Sequence, residues 1–194
     1  MTDRKREAKI KLCYLFAAAL LTVIGCESQS PADGHLEKNS YVNSYLHFTY
    51  IWPANLQPID IGNLNIHPAK PNPNEYPLFA ARQGGDPFGI VMIAEKLHAP
   101  TPHNRTGFTD GANFLSYIVP GFGPDAHVKV LASKHMANPN GFVIDELDYA
   151  VANEYDSGIA IQSGQYLVVF KCNAKSPSDL EIMTKSILAT KRTH

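Results

Sequence analysis

The sequence predicts an α+β domain, a mostly antiparallel sheet with helices on both faces. Three observations carry that expectation. Residues 158–162 and 165–170 are apolar runs separated by Ser163-Gly164. A short loop containing glycine between such runs closes an antiparallel hairpin. Tyr166, Leu167, Val168, Val169 and Phe170 put apolar groups on both faces of one strand, so that strand is covered on both sides. Two amphipathic segments, around 110–119 and 176–188, supply the covers and make an α/β/α sandwich.

The elements follow in order. Phe48, Tyr50 and Trp52 alternate with other residues and stop at Pro53, which reads as a first strand. Six prolines between Pro53 and Pro77 leave room for short strands only, because proline removes backbone donors. Residues 78–82 and 89–95 are strand candidates on either side of the turn Gly84-Gly85-Asp86-Pro87. Thr109 is placed to cap a helix whose apolar positions are Phe114, Leu115, Ile118 and Val119, ended by Pro120 and Gly121. Residues 127–136 and 142–152 are two further strands. Ser176 caps the last helix, Pro177 fits its first turn, and Asp179 stands three after the cap. Leu180, Met183, Ile187 and Leu188 form its apolar stripe.

The first 25 residues read as an address. Arg4, Lys5, Arg6, Lys9 and Lys11 precede an apolar run from Leu12 to Ile24. That run is shorter than the ~20 residues of a membrane-spanning helix, and the order matches a secretory signal. It ends at Val23-Ile24-Gly25-Cys26, which resembles the lipobox of bacterial lipoproteins. The resemblance implies cleavage before Cys26, whose thiol takes a diacylglyceryl group and whose amine can take a third chain. Two or three chains anchor stably, at about 0.8 kcal/mol per buried CH₂. Residues 26–40 then form a lipidated cysteine and a polar, breaker-rich tether, and 41–194 form the globular domain. Glu27, rather than Asp, points to the outer membrane facing the periplasm if the envelope is Gram-negative.

Composition agrees with a globular head: 44% of residues are hydrophobic and 18% charged. The net charge of −1 excludes the basic excess expected of a nucleic-acid binder. Loss of residues 1–25 removes five of the 17 Lys+Arg and two of the 18 Asp+Glu, leaving −4. Basic adhesion to anionic lipid is therefore not expected, and the acyl chains must hold the protein. Of three cysteines, Cys13 leaves with the signal and Cys26 is acylated. Cys172 remains alone, so no internal disulfide can form. It reads as a small buried hydrophobe.

At both ends the domain resembles PsbP-like domains. Tyr45-Leu46, Phe48, Tyr50 and Pro53 match the opening strand of that group, with Leu56 where the group often carries tryptophan. Gly164, Tyr166-Leu167, Phe170, Ala174, Ser176-Pro177 and the helix from Met183 to Ile187 match its end. The same sandwich occurs in photosystem II extrinsic subunits, a Ran-GTPase-binding import factor and many small bacterial lipoproteins. The resemblance implies a non-catalytic binding or accessory domain with no family-wide catalytic residues and no cofactor.

Other groups of residues are candidates for chemistry. His98, His103 and Asp110 flank one loop, and His127 and His135 lie on one strand. None has a metal-ligand spacing, and eight residues of straight strand separate the last pair by about 27 Å. Gly121, Gly123 and Ala126 fit the letters of a dinucleotide fingerprint, yet follow a helix and precede a strand, so they make a loop. Asp145, Glu146, Asp148, Glu154 and Asp156 are an acidic strand in which Glu146 and Asp148 share a face. Asn104-Arg105-Thr106 is a glycosylation triplet. Tyr41, Tyr45, Phe48, Tyr50 and Trp52 crowd one region, and any left exposed would suit a partner. The expectation is a lipid-anchored envelope protein that binds an envelope partner. The alternative is a small hydrolase or metal-dependent enzyme using loop 98–110 or the acidic strand 145–156.

Overall fold

The computed structural model describes residues 30–61, 73–84, 88–98, 107–123 and 125–193. The signal segment 1–25, Cys26, His103 and the triplet at Asn104 lie outside them. The elements are β1 (His35–Glu37), β2 (Ser40–Asn43), β3 (Phe48–Ile51), β4 (Gln57–Pro58), β5 (Glu75–Arg82), β6 (Gly89–Lys96), α1 (Gly111–Leu115), α2 (Ile118–Gly121), β7 (Val128–Ala137), β8 (Val143–Val151), β9 (Glu154–Ser163), β10 (Tyr166–Ala174), α3 (Pro177–Leu188) and β11 (Lys191–Arg192). Seven strands form the main sheet in the order β4-β5-β6-β10-β9-β8-β7, and four form a small sheet in the order β1-β2-β3-β11. Every recorded pairing is antiparallel.

The hairpin expected at Ser163-Gly164 is β9–β10, in register from Tyr166 opposite Ser163 to Ala174 opposite Tyr155. β10 is the middle strand of seven. Its residues from Tyr166 to Phe170 are all buried, as a strand covered on both faces must be.

One face of the main sheet meets the small sheet and α3. Ser176 Oγ accepts from the Asp179 backbone N–H at 3.2 Å and caps α3. Leu180, Met183 and Ile187 are buried against the sheet. The aromatic crowd at residues 41–52 enters the same core. Tyr50 sits edge-on to Phe170 at 5.1 Å, and Trp52 stacks on Phe79 at 5.1 Å. The Tyr50 hydroxyl lies 3.1 Å from Ser186 Oγ on α3. Tyr41, Phe48, Tyr50 and Trp52 are therefore interior residues and Tyr45 packs at their edge, so the exposed partner surface allowed for at this region is absent from it.

The opposite face corrects the expected architecture. Among the described residues no second helix layer covers it and α3 is the one full helix, so the fold is a mostly antiparallel sheet and not a sheet with helices on both faces. The predicted helix over 110–119 splits into two short turns, five residues in α1 and four in α2. Ser116 Oγ donates to the Asn113 carbonyl at 2.7 Å, a local bond that competes with helix continuation. Pro120 and Gly121 then stop α2 within a turn of its start. The cap is Asp110 rather than Thr109: Asp110 Oδ1 accepts from the Asn113 N–H at 2.7 Å. The two turns cover only part of the sheet, over Leu147, Ala160 and Val169. Gly158 permits that approach, because a Cβ there would stand 2.7 Å from Ile118 Cδ1 and 2.9 Å from Leu115 Cδ2.

The hairpin β1–β2 takes in residues from the stretch read as tether. His35 pairs with Val42 and Glu37 with Ser40. Asn43 Nδ2 donates to the Pro31 carbonyl at 2.7 Å, which holds the chain in place from Pro31. Among the described residues, no helix is long and apolar enough to cross a membrane.

Candidate functional site

The acidic strand does not converge on one point. Strand alternation sends Asp145, Leu147 and Tyr149 to the α1 side and Glu146 and Asp148 to the α3 side. Asp145 is buried beneath Gly111, where a Cβ would stand 2.5 Å from its Oδ2. Its Oδ1 lies 2.7 Å from Nδ1 of His135 on neighbouring β7. Glu154 and Asp156 share one donor, Asn173 Nδ2, at 3.1 and 2.8 Å. Burial pushes the Asp156 carboxyl up, the bond from Asn173 pulls it down, and the Glu154 charge raises it again.

On the α3 side, Lys134 Nζ donates to Glu146 Oε1 at 3.1 Å and lies 3.5 Å from Asp148 Oδ2. Glu146 Oε2, Asp148 Oδ1 and Ser157 Oγ are buried without a hydrogen-bond partner. These groups stand under α3 beside a cleft of about 360 Å³. Burial raises the Glu146 carboxyl above its usual range, the Lys134 bond opposes this, and the Asp148 charge adds to it. A carboxyl raised in the folded state contributes stability that is full below its ordinary value of 4.5 and is lost as pH rises through its folded value. Glu146→Gln keeps the acceptor for Lys134 and removes the ionisation. The variant is expected to be more stable than the parent at pH 7, with the gap closing as pH falls towards 4. Urea titrations at the two pH values check this, and a gap that widens on acidification would refute it.

Loop 98–110 is likewise not assembled as a centre in its described part. The His98 ring Nδ1 lies 2.8 Å from the Lys96 carbonyl, and Asp110 is engaged as the α1 cap. A bulge between Val130 and Ala132 breaks the alternation assumed for His127 and His135. Among the described residues, no three His, Cys, Asp or Glu side chains come together to hold a metal ion. Cys172 is fully buried, and burial together with Asp148, Asp156 and Glu146 pushes its thiol up, so it is inert as a nucleophile.

The surface with a definite chemical character is the partly covered face. Phe108 stands edge-on to Phe114 at 4.7 Å and to Tyr117 at 5.5 Å, and Phe122 meets Tyr149 at 5.6 Å. Tyr117 is 50% exposed and Phe122 43% exposed. With Ile118 and Lys171 these rings line an open cavity of about 370 Å³. A second cavity of about 450 Å³ shares Tyr149 and Lys171 and runs on past Asp156 and Asn173 to Arg82. Register explains its shape. Lys171 lies on the middle strand between Val91 and Gly158, and Asn173 between Gly89 and Asp156, and Ala81, Gly89 and Val91 line the cavity beside them. The sequence reading missed this site. Four aromatics within residues 108–122, on a segment full of helix breakers, are the available signal; of these the sequence reading uses only Phe114, as an apolar helix position.

No family model and no curated protein matches the chain. Among solved structures it is similar to the solution structure of cyanobacterial PsbP (CyanoP) from Synechocystis sp. PCC 6803, with a TM-score of 0.54 and 13% sequence identity over 87% of this chain and 97% of that one. At that identity the likeness is one of architecture, and the chain has a PsbP-like fold.

Proposed function

We propose that this is a lipid-anchored envelope protein whose PsbP-like head is a non-catalytic binding module, working through the face that carries Tyr117 and Phe122. One observation carries the binding reading: exposed aromatic side chains wall an open cavity with a cation at its floor. Exposed apolar groups gathered around a concavity mark interaction sites. The PsbP-like architecture fits an accessory role. Anchoring rests on the charged start, the short apolar run and Val23-Ile24-Gly25-Cys26. Glu27 supports the outer membrane, facing the periplasm, in a two-membrane envelope.

The two halves are tested separately. Globomycin is expected to leave an unprocessed precursor, and Cys26→Ala to abolish acyl labelling and move the protein out of the membrane fraction. Labelling that survives the substitution would end the anchoring reading. Crosslinking in intact cells, followed by mass spectrometry, is expected to place contacts at Tyr117 and Phe122. Contacts confined to the opposite face, over α3, would end the binding reading for this surface.

A further inference from the structure

We infer that the aromatic cavity and its Lys171 floor form a site for a small, flat, apolar molecule bearing one acid group, an aromatic carboxylate or sulfonate. The inference rests on the binding reading above and adds the class of ligand. The walls supply flat apolar surface: Tyr117, Ile118, Phe122 and Tyr149 surround a space of about 370 Å³. That is within the ~300–1,000 Å³ range of small-molecule sites, where a few placed polar groups fix orientation. The phenyl ring of Phe108, edge-on to Phe114 and Tyr117, makes one wall rigid.

Lys171 gives the site its sign. It occupies the middle strand of the sheet, on the face where its neighbours along β10 are Val169 and Asn173. It has no ion-pair partner among the described residues, and neither has Arg82 at the far end of the adjoining cavity. The nearest carboxylate lining that cavity, Asp156, is held by Asn173 Nδ2 at 2.8 Å. An ammonium beside aromatic walls, with no carboxylate paired to it, gains from an anion brought to it. The head is otherwise acidic, so a patch with two uncommitted cations is a local reversal of charge that steers anions. A neutral flat molecule would meet the walls but leave the ammonium unpaired.

The test compares naphthalene-2-sulfonate with the uncharged naphthalene-2-sulfonamide by equilibrium dialysis. The purified mature protein is used, in lipid nanodiscs with empty discs as blank if acylated, and in buffer if not. The sulfonate is expected to bind one per chain, about tenfold tighter than the sulfonamide. Lys171→Met should erase that preference while leaving sulfonamide binding within about twofold, and Phe122→Ala should weaken both. Both side chains are exposed, and circular dichroism checks that each variant folds. Lys171→Gln serves as a second neutral variant. Failure of the sulfonate to saturate below about 1 mM, equal binding of the two probes, or a preference that survives both Lys171 variants would overturn the inference. If crosslinks still map to Tyr117 and Phe122 in that event, the surface binds a partner and only the ligand class is wrong.

Discussion

Phe79→Ala is expected to lower the free energy of unfolding by about 3–5 kcal/mol, the range for removing a buried aromatic ring. Phe79 is 3% exposed and lies on β5 of the main sheet. Its ring meets three others from the small-sheet segment: Tyr41 and Tyr50 at 5.9 Å and Trp52 at 5.1 Å. The ring is thus one of the main contacts through which the two sheets share a core. Its loss leaves a cavity that Tyr50 and Tyr41 cannot close, since both are tied elsewhere: Tyr50 to Phe170 and Ser186, Tyr41 to Phe48 and Asn43. Urea unfolding followed by tryptophan emission checks this, because Trp52 stacks directly on the deleted ring. A loss under about 1 kcal/mol would mean that the small sheet does not pack as described.

The second large effect is polar. Asn138→Ala is expected to cost about 2–4 kcal/mol. Asn138 sits at the β7–β8 turn and is 7% exposed. Its Nδ2 donates to the Leu188 carbonyl at 3.2 Å and to the Thr190 carbonyl at 3.0 Å. Its Oδ1 accepts from the N–H groups of Asn140 at 2.9 Å and Phe142 at 3.0 Å. One side chain therefore closes the turn and joins it to the end of α3. Truncation leaves the Leu188 carbonyl without this donor, while the Thr190 carbonyl keeps Asn140 Nδ2 at 2.9 Å. Asn138→Asp keeps the acceptors and loses both donors, so it separates the two roles. A thermal melt in which Asp behaves like the parent would show that the bonds to Leu188 and Thr190 contribute little.

Local signals are legible in the chain and long-range ones are not. The β9–β10 hairpin, the doubly buried β10 and the Ser176 cap were legible, because each rests on local periodicity or on a capping residue at fixed spacing. The β1–β2 hairpin was not legible. Its turn uses Lys38 at φ 50°, and the following β2–β3 turn uses His47 at φ 52°, so no glycine marks either, and the strands are short and largely polar. The split of residues 110–121 was equally hidden, since the apolar spacing fits a helix and a serine hydroxyl decides otherwise. The candidate site depends on which part of a sheet face stays uncovered. That is settled by contacts between residues far apart in sequence, such as Gly158 with Leu115 and Ile118.

The bond from Asn43 to the Pro31 carbonyl ties the head's described structure back to Pro31. Under the proposed acylation of Cys26, five residues lead from the acylated sulfur to Pro31, at most about 18 Å of fully drawn-out chain. If Cys26 is acylated, a leash that short would hold the head close to the headgroups. Its catch would come from molecules that are themselves dissolved in, or seated on, the same leaflet, and a longer spacer spliced in before Pro31 would widen that hunting ground.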